Sequence, residues 1–270
     1  MKLKIFQVDA FTKDLFAGNP AAVVPLDAWL PDDVMQRIAA ENNLAETAFF
    51  VRNGDTYEIK WFTPTVEIAL CGHATLASAY VVFRIVGHDS DKIQFHSHIS
   101  GDLFVERKDD LFVLDFPSYP PSKFELPGLG EILGREPLEI TEAGGYVVAL
   151  FATEADVAAI TPDFRAMNDL DAHAVVVTAK GSSSDFVSRF FGPAVGVDED
   201  PVTGSSHCRL IPYWAAKLGK TKLFARQISK RGGEIYCELI DDRVKMGGNA
   251  ALYMKGEIYV DATGEKSVAA

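Results

Sequence analysis

The chain has 270 residues, of which 48% are apolar and 24% are charged. This globular composition supplies enough apolar material for a core, and the length predicts two domains of about 130 residues each. The formal net charge is −12, which argues against a nucleic-acid scaffold because such a protein needs a basic face for phosphates. A small carboxylate is not excluded, since one local cation or helix end can bind it.

The three cysteines, Cys71, Cys208 and Cys237, form neither a C-x-x-C motif nor an even-numbered disulfide framework, which fits a reducing compartment. The first residues, MKLKIFQVDAF, have no apolar run before a small-residue cleavage site, so a signal peptide is not expected. No stretch reaches the apolar length that spans a bilayer. We therefore expect a cytoplasmic protein with no nucleic-acid or membrane partner.

In chain order, the first half predicts strands at 3–9 and 21–26, separated by a Gly-Asn-Pro turn. A helix is predicted from Pro31, since proline and the two acids after it suit a first turn, to about Asn43. Two more strands follow, in LAETAFFV and YEIKWF. The sequence ATLASAYVVFRIV is apolar nearly all round and predicts the buried central helix of a domain, ending at Gly87.

Five prolines between 117 and 137 predict a domain boundary near 117–125. Beyond it, strand patterns occur in YVVALFA, HAVVVTA, GEIYCELI, RVKMGG and ALYMKGEIYV. The loop GVDEDPVTGSS leads into a helix, HCRLIPYWAAKLG, that ends at Gly219 and that Pro212 should kink. We predict an N-terminal domain at 1–118 and a C-terminal domain at 119–270. The last strand, about 251–262, is a candidate for packing back on the first domain.

The two halves share one order of features: strand, Phe-x-Pro, loop, glycine, apolar helix. The first half has Phe-x-Pro at 62–64 and its glycine at Gly72, and the second half has them at 191–193 and Gly204. A repeat of this length indicates duplication of a domain, because solenoid periods are far shorter. The alternative is chance similarity of two short strings. Duplicated domains have a natural ligand cleft at their interface.

Glu46 is the candidate proton-transfer group. In LAETAFFV, a period of two places Leu44, Glu46, Ala48 and Phe50 on one face, so the carboxylate lies among apolar neighbours. Desolvation disfavours the charged form of a carboxylate, which suits a general acid or base near neutral pH. The alternative is a strand-end glutamate in a salt bridge or in water.

Gly72-His73 and Gly204-Ser205-Ser206 lie at predicted helix starts. Unpaired backbone N–H groups and the helix dipole favour an anion there, and glycine lets a ligand approach the backbone closely. If the duplication brings the two helix starts together, they form a two-sided cradle for a substrate carboxylate. The alternative is plain helix capping, for which serine is well suited.

Asp200 lies in an acidic run with Asp198 and Glu199. Such a run before a helix usually caps it or is solvated, and the alternative makes Asp200 a hydrogen-bonding group of the site. His96 and His98 share a strand face without an obvious third ligand, so no metal site is predicted. The sequence has no dinucleotide fingerprint, P-loop or nucleophile elbow, and we expect no cofactor.

Four blocks of the sequence resemble the phenazine-biosynthesis-like (PhzF) family: VDAFTKDLFAGNPAAVV, NLAETAFFV, FTPTVEIALCGHATLASA and FFGPAVGVDEDPVTGSSH. They occur in the expected order through nearly the whole chain. The resemblance implies an α+β fold like that of diaminopimelate epimerase and proline racemase. That fold has two similar domains related by duplication, each a strongly bent, mostly antiparallel sheet around a central helix. The resemblance also implies an isomerase that moves a proton without metal or cofactor.

The resemblance implies that Glu46 is the proton shuttle and that His73, Asp200 and Ser205 complete the catalytic group. The positions that it implies for binding a small carboxylate substrate are Asn19, Gly72 and Gly204. We predict that the four catalytic side chains converge on one cleft between the two halves. The family resemblance, and the frequency of symmetric dimers among oligomers, also predict a homodimer.

Two alternatives stay open. Relatives with a two-cysteine mechanism need a thiol in each half, and Cys71 supplies the first. At the second position this chain has Thr203, and Cys208 lies later, inside the helix. An amino-acid racemase or epimerase that uses Cys71 with another acid is one alternative. A non-catalytic small-molecule binding protein on the same fold is the other.

Overall fold

The structure is a computed structural model that describes residues 1–260. The described chain divides into two units. The first contains residues 1–16, 20–114 and those from Asn249 onward, and the second contains residues 17–19 and 115–248. The division after Leu114 lies four residues before the predicted boundary, and the C-terminal strand belongs to the first unit.

Strands predominate over helices in both units. The strands are β1 (Lys2–Ala10), β2 (Asn19–Leu26), β3 (Glu46–Asn53), β4 (Thr56–Phe62), β5 (Glu67–Ile68), β6 (Lys92–Ser97), β7 (Gly101–Lys108), β8 (Leu111–Pro117), β9 (Ser122–Lys123), β10 (Glu139–Ala143), β11 (Tyr146–Leu150), β12 (Ala174–Lys180), β13 (Phe186–Gly192), β14 (Val197–Asp200), β15 (Lys222–Gln227), β16 (Gly233–Ile240), β17 (Arg243–Gly248) and β18 (Ala250–Tyr259). The helices are α1 (Asp32–Asn42), α2 (Gly72–Val81), α3 (Leu129–Leu133), α4 (Glu154–Ala159), α5 (Phe164–Asn168) and α6 (Gly204–Leu218). No helix within residues 1–260 is long and apolar enough to cross a membrane.

The two units repeat one pattern of strand pairing. In the first, β3 runs parallel to β2 and antiparallel to β4, and β4 runs antiparallel to β5 and parallel to β6. In the second, β12 runs parallel to β11 and antiparallel to β13, and β13 runs antiparallel to β14 and parallel to β15. The long helices α2 and α6 connect equivalent strands. The predicted duplication is therefore confirmed at the level of topology.

The pairing registers also align the two units residue by residue. Thr47 pairs with Phe62 in the first unit, and Val175 pairs with Phe191 in the second. Both phenylalanines begin a Phe-x-Pro segment, so these two segments are equivalent. The repeat noticed in the sequence therefore marks corresponding places in two copies of one architecture.

In the first unit, the end of α1 determines where β3 begins. Asn43 adopts the left-handed conformation, with φ of 48°, and its N–H donates to Ala39 as the helix ends. Leu44 packs with Phe49 of β3 in the cluster under α1. The prediction that Leu44 shares a face with Glu46 is therefore wrong, because the strand begins only at Glu46.

The central helices begin at the predicted glycines, Gly72 and Gly204. Helix α2 is buried nearly all round, as its apolar sequence predicts, and continues as a π-helical turn to Gly87. Helix α6 continues through Pro212 and ends at Gly219, which takes the left-handed conformation. Each unit thus has one long buried helix whose first residues are Gly-His or Gly-Ser.

The C-terminal strand pairs with the N-terminal strand inside the first unit. β18 runs antiparallel to β1, from Lys2 opposite Tyr259 to Ala10 opposite Ala250. The predicted last strand at about 251–262 includes residues 261 and 262, which lie outside the described residues. The strand that the structure describes covers the whole length of β1.

Candidate active site

Glu46 and His73 lie in contact in the first unit. Glu46 is the first residue of β3 and pairs with Ala21 of β2, and its side chain is 14% exposed. His73 is the second residue of α2, and its side chain is 5% exposed. Glu46 Oε2 lies 3.0 Å from His73 Nε2. The salt bridge considered for Glu46 therefore exists, and its partner is another predicted site residue.

Cys71 extends this contact to a chain of three side chains. It is the N-cap residue of α2, and its Sγ lies 3.5 Å from His73 Nδ1. Burial raises the pKa of the Cys71 thiol, and the Glu46 carboxylate raises that pKa further. A thiol with a raised pKa stays protonated near neutral pH, so Cys71 is a poor base as it stands.

Burial of His73 and the groups that contact it have opposite effects on its pKa. Burial lowers the pKa of the imidazole, but Cys71 and Glu46 outweigh this effect, and the pKa of His73 lies well above its usual value. Because the Cys71 thiol stays protonated near neutral pH, the Glu46 carboxylate is the charge that stabilises the imidazolium. The site can thus place a carboxylate next to a proton donor, in a nearly water-free environment.

Glu46, Cys71 and His73 also offer ligand atoms that all lie within 4.8 Å of one another. A metal-binding grouping of this kind was not predicted, since the sequence directed attention to His96 and His98, which instead contact acids on the protein surface. The two nitrogens of His73 face different residues, Nδ1 toward Cys71 and Nε2 toward Glu46. The three ligand atoms are close enough together for one ion, and the contacts of His73 with Cys71 and Glu46 are an alternative use of the same groups.

Asp200 and Asn19 lie together in the second unit. Asp200 is the last residue of β14, a short strand in a segment that was predicted to be a loop. Its carboxylate accepts hydrogen bonds from Asn19 Nδ2 at 2.8 Å and from the Thr203 hydroxyl. Asn19 also donates to the Val202 carbonyl at 2.9 Å. The amide of Asn19 thus fixes both the carboxylate and the turn that leads to α6.

Gln227, which the sequence did not single out, fixes the same turn from β15. Its Nε2 donates to the Asp200 carbonyl at 2.8 Å, and its Oε1 accepts from the Thr203 N–H at 2.9 Å. The neighbouring Glu199 forms a paired contact with Arg189 at 2.7 Å and 3.0 Å. The acidic run therefore contains residues with distinct partners, and Asp200 is the one held at the start of α6.

Ser205 is the second residue of α6 and is half-buried. Its Oγ accepts a hydrogen bond of 3.1 Å from the Tyr146 hydroxyl. Gly204 and Gly72 begin α6 and α2, so the first N–H groups of each helix have no acceptor within that helix. That the catalytic residues of the two units converge on one cleft stays a prediction.

The repeat places different chemistry at corresponding positions of the two units. The corresponding pairs, by strand register and by the glycine that begins each helix, are Glu46 and Ala174, Cys71 and Thr203, and His73 and Ser205. At these positions the first unit has an acid, a thiol and an imidazole, whereas the second has a methyl group and two hydroxyls. At these corresponding positions, the readily titratable side chains are thus those of the first copy.

A depression of about 530 Å³ on the second unit lies away from these residues. Phe164, Arg165 and Asp198 are among the residues that line it, and none of the predicted site residues does. The volume of this depression therefore does not indicate where the predicted site residues lie.

The family model for phenazine biosynthesis-like protein (PhzC-PhzF) matches residues 8–256. The chain belongs to this family. An uncharacterized isomerase of Pseudomonas aeruginosa is 51% identical over 259 residues, which cover 96% of this chain and 99% of that protein. The crystal structure of a PhzF-family phenazine biosynthesis protein from Enterococcus faecalis is 47% identical, covers 96% of this chain and 100% of its own, and has a TM-score of 0.94.

The fold extends beyond the family. A probable proline racemase from Agrobacterium radiobacter K84 has a TM-score of 0.63 over 97% of this chain and 94% of its own, at 11% identity. At that identity the similarity concerns the fold alone. The predicted α+β architecture of two similar domains, shared with the racemases and epimerases, is confirmed.

Proposed function

We propose that this protein is an isomerase that moves a proton on a small carboxylate-bearing substrate, with Glu46 as the group that takes and returns the proton. The observation that carries the proposal is the nearly buried pair of Glu46 and His73, 3.0 Å apart. A carboxylate in that setting can act as a general base, and its protonated form can act as the acid. Names of relatives, such as the P. aeruginosa isomerase, agree with this class of reaction.

The reaction would proceed in two proton transfers. Glu46 removes a proton from an activated C–H bond, and the electron pair of that bond moves into the conjugated system of the substrate. The carboxylic acid of Glu46 then returns the proton to a different carbon, which forms the isomer. The His73 imidazolium stabilises the negative charge, first on Glu46 and then on the substrate, because it is nearly desolvated.

The second unit would bind and orient the substrate. Asp200, held by Asn19 and Thr203, accepts hydrogen bonds from substrate donors, and Ser205 donates to a substrate oxygen. The N–H groups that follow Gly72 and Gly204 suit a carboxylate. In this proposal no metal or other cofactor takes part, since a carboxylate base performs the transfer alone.

The different side chains at corresponding positions of the two units favour a mechanism with one base over a mechanism with two. Two-base racemisation needs a thiol at the corresponding position of each unit, and Thr203 stands where the second would be. Cys71 has a raised pKa, so it is a weak candidate for the first. A one-base mechanism with Glu46 needs neither thiol.

The test requires a substrate, which we would find by a metabolite screen that follows thermal shift and then proton NMR in deuterated water. Glu46→Gln keeps the shape of the side chain but removes its acid–base function, and turnover should fall by at least about 10²-fold. Cys71→Ser should stay within about tenfold of wild type, since a hydroxyl can replace a packing thiol but not a thiolate base.

Circular dichroism of both variants separates loss of chemistry from loss of fold. Formation of the isomer in the NMR spectra reports the reaction, and solvent deuterium in the product shows that the transferred proton exchanges with water. An inactive Cys71→Ser beside an active Glu46→Gln would place the protein with the thiol racemases. Binding of metabolites without any isomer formation or deuterium exchange in the wild type would favour the non-catalytic binding protein.

We further propose that the protein is a cytoplasmic homodimer. All three cysteines are free and buried, as a reducing compartment permits, and symmetric dimers are the commonest oligomers. Light scattering should give a mass near twice the 29.5 kDa of one chain. A single species at the chain mass, at micromolar concentration, would contradict the dimer.

A further inference from the structure

Arg209 is a nearly buried cation close to Ser205. It lies one turn after Ser205 on α6 and is 8% exposed. Its Nη1 donates to the Ser205 carbonyl at 2.9 Å, and its Nε donates to the Ala143 carbonyl at 3.2 Å. Within residues 1–260 no carboxylate forms an ion pair with it. Among the described residues, its hydrogen bonds and ring contacts are with neutral groups.

The guanidinium of Arg209 lies between two tyrosine rings. Its Cζ is 4.0 Å from the centroid of Tyr146 and 4.6 Å from that of Tyr119. Such contacts stabilise a cation and fix the rings at the same time. Gly144 permits the approach, because a Cβ there would lie 3.1 Å from Arg209 Nη2. Arg209 thus holds the Tyr146 ring and the Ser205 backbone together.

Tyr146 determines how the Ser205 hydroxyl is used. The Tyr146 hydroxyl donates to Ser205 Oγ at 3.1 Å. A serine hydroxyl has one proton to donate and two lone pairs to accept with. Because one lone pair is engaged by Tyr146, the Ser205 proton must point away from that ring and is available to another acceptor. A nearby cation without a counter-ion makes an anionic acceptor the favoured one.

We propose that Tyr146 and Arg209 are positioning residues that hold the Ser205 hydroxyl as a donor to an anionic oxygen of the substrate. The pair acts through Ser205, so it contributes to selection of a carboxylate over a neutral group of the same shape. This proposal deepens the proposed function, since it assumes that the substrate carries a carboxylate. It does not depend on which residue transfers the proton.

The test compares matched acids and amides as probes: benzoate with benzamide, and acetate with acetamide. Affinities are measured by NMR titration of the full chain. The wild type should prefer each acid to its amide. Tyr146→Phe should weaken benzoate binding about three- to tenfold, the effect of one hydrogen bond, and leave benzamide unchanged. Arg209→Met should weaken benzoate more, and Arg209→Lys should recover part of that loss.

Tyr213→Phe is the matched control, because it removes a hydroxyl from a nearly buried tyrosine on α6, the helix of Ser205 and Arg209. This variant should keep the wild-type preference for acids. Equal weakening of acid and amide would show a merely structural role and overturn the proposal. So would unchanged benzoate binding in Tyr146→Phe, or a wild type that binds neither acid. If Arg209→Met fails to fold, Tyr146→Phe and Arg209→Lys still decide. A failed isomerase assay would leave this binding result standing.

Discussion

At the scale of single residues, the protonation of the cluster of Glu46, Cys71 and His73 depends on the contacts of His73. Its imidazole contacts the Cys71 thiol through Nδ1 and the Glu46 carboxylate through Nε2. Burial lowers its pKa and these neighbours raise it to well above the usual value. These directions favour a protonated thiol and a protonated imidazole beside Glu46, which is the arrangement that the proposed one-base mechanism uses.

We expect His73 to titrate well above pH 6.5. The Glu46→Gln substitution removes the charge that stabilises the imidazolium and should lower this pKa. Because the pKa of His73 is raised on folding, the pair stabilises the fold fully below about pH 6.5, and that contribution is lost as pH rises through the folded pKa. Long-range nitrogen–proton NMR spectra of the histidine side chains, recorded across this pH range, measure the pKa of His73 in the wild type and in Glu46→Gln.

His207 provides an internal control in the same spectra. It is fully buried in α6, and its Nδ1 lies 2.7 Å from the Thr203 carbonyl. Burial lowers the pKa of His207 to about 4, although the backbone contact opposes this shift. It should stay neutral throughout the titration of His73, in wild type and in Glu46→Gln. If His73 titrates at or below pH 6.5, or if its pKa is the same in Glu46→Gln, then Glu46 is not the group that raises the pKa of His73.

Metal removal tests the other chemistry that these three side chains could support. We expect full activity after exhaustive chelation and dialysis, because in the proposed mechanism the Glu46 carboxylate transfers the proton without a metal ion. Elemental analysis of the dialysed protein accompanies the assay. Activity that disappears with the chelator and returns with one added metal ion would show that Glu46, Cys71 and His73 bind a metal after all.

At the scale of elements, the sequence predicted the long helices well and the short strands poorly. Helices α1, α2 and α6 have strong local signals: a proline and acids at one start, a long apolar run, and glycine at one end. β14 has only four residues, and three of them are acids with low strand propensity. It forms because Asp200 pairs with Phe190 of β13, and that pairing is a tertiary contact which no local pattern shows.

The geometry at the end of helix α1 determines where Glu46 lies. Asn43 has a φ of 48°, a conformation that glycine and asparagine tolerate and other residues avoid. We expect Asn43→Ala to lower the free energy of unfolding by about 1 kcal/mol, whereas Asn43→Gly should be nearly neutral. Chemical denaturation measures both. Equal stability of the two variants would show that the left-handed cap does not determine how the chain enters β3.

At the scale of the whole molecule, the sequence revealed the duplication but not the contacts within each copy. The Asn19–Asp200 hydrogen bond joins residues 181 positions apart. The roles of Gln227, Tyr146 and Arg209 follow from contacts that only the folded chain creates. Glu46 lay in a recognisable block, and so did Asn19 and Thr203, which hold Asp200. Gln227, Tyr146 and Arg209 lay outside the blocks. The predicted site residues were thus visible in the sequence, whereas supporting contacts made by residues outside the blocks were not.

The first unit is discontinuous, which predicts the effect of shortening the chain. β18 pairs with every residue of β1, and Ile258 packs against the cluster under α1. A chain that ends at Gly248 loses this strand, so the β1 amides that face β18 should lose hydrogen-exchange protection because they lose their acceptors, whereas β1 keeps its pairing with β2. A chain that ends at Val260 is the control, since it keeps all of β18. Amides of β12, in the second unit, should stay protected in both chains. If the β1 amides that face β18 remained protected in the shorter chain, the pairing with β18 would not hold the first unit together.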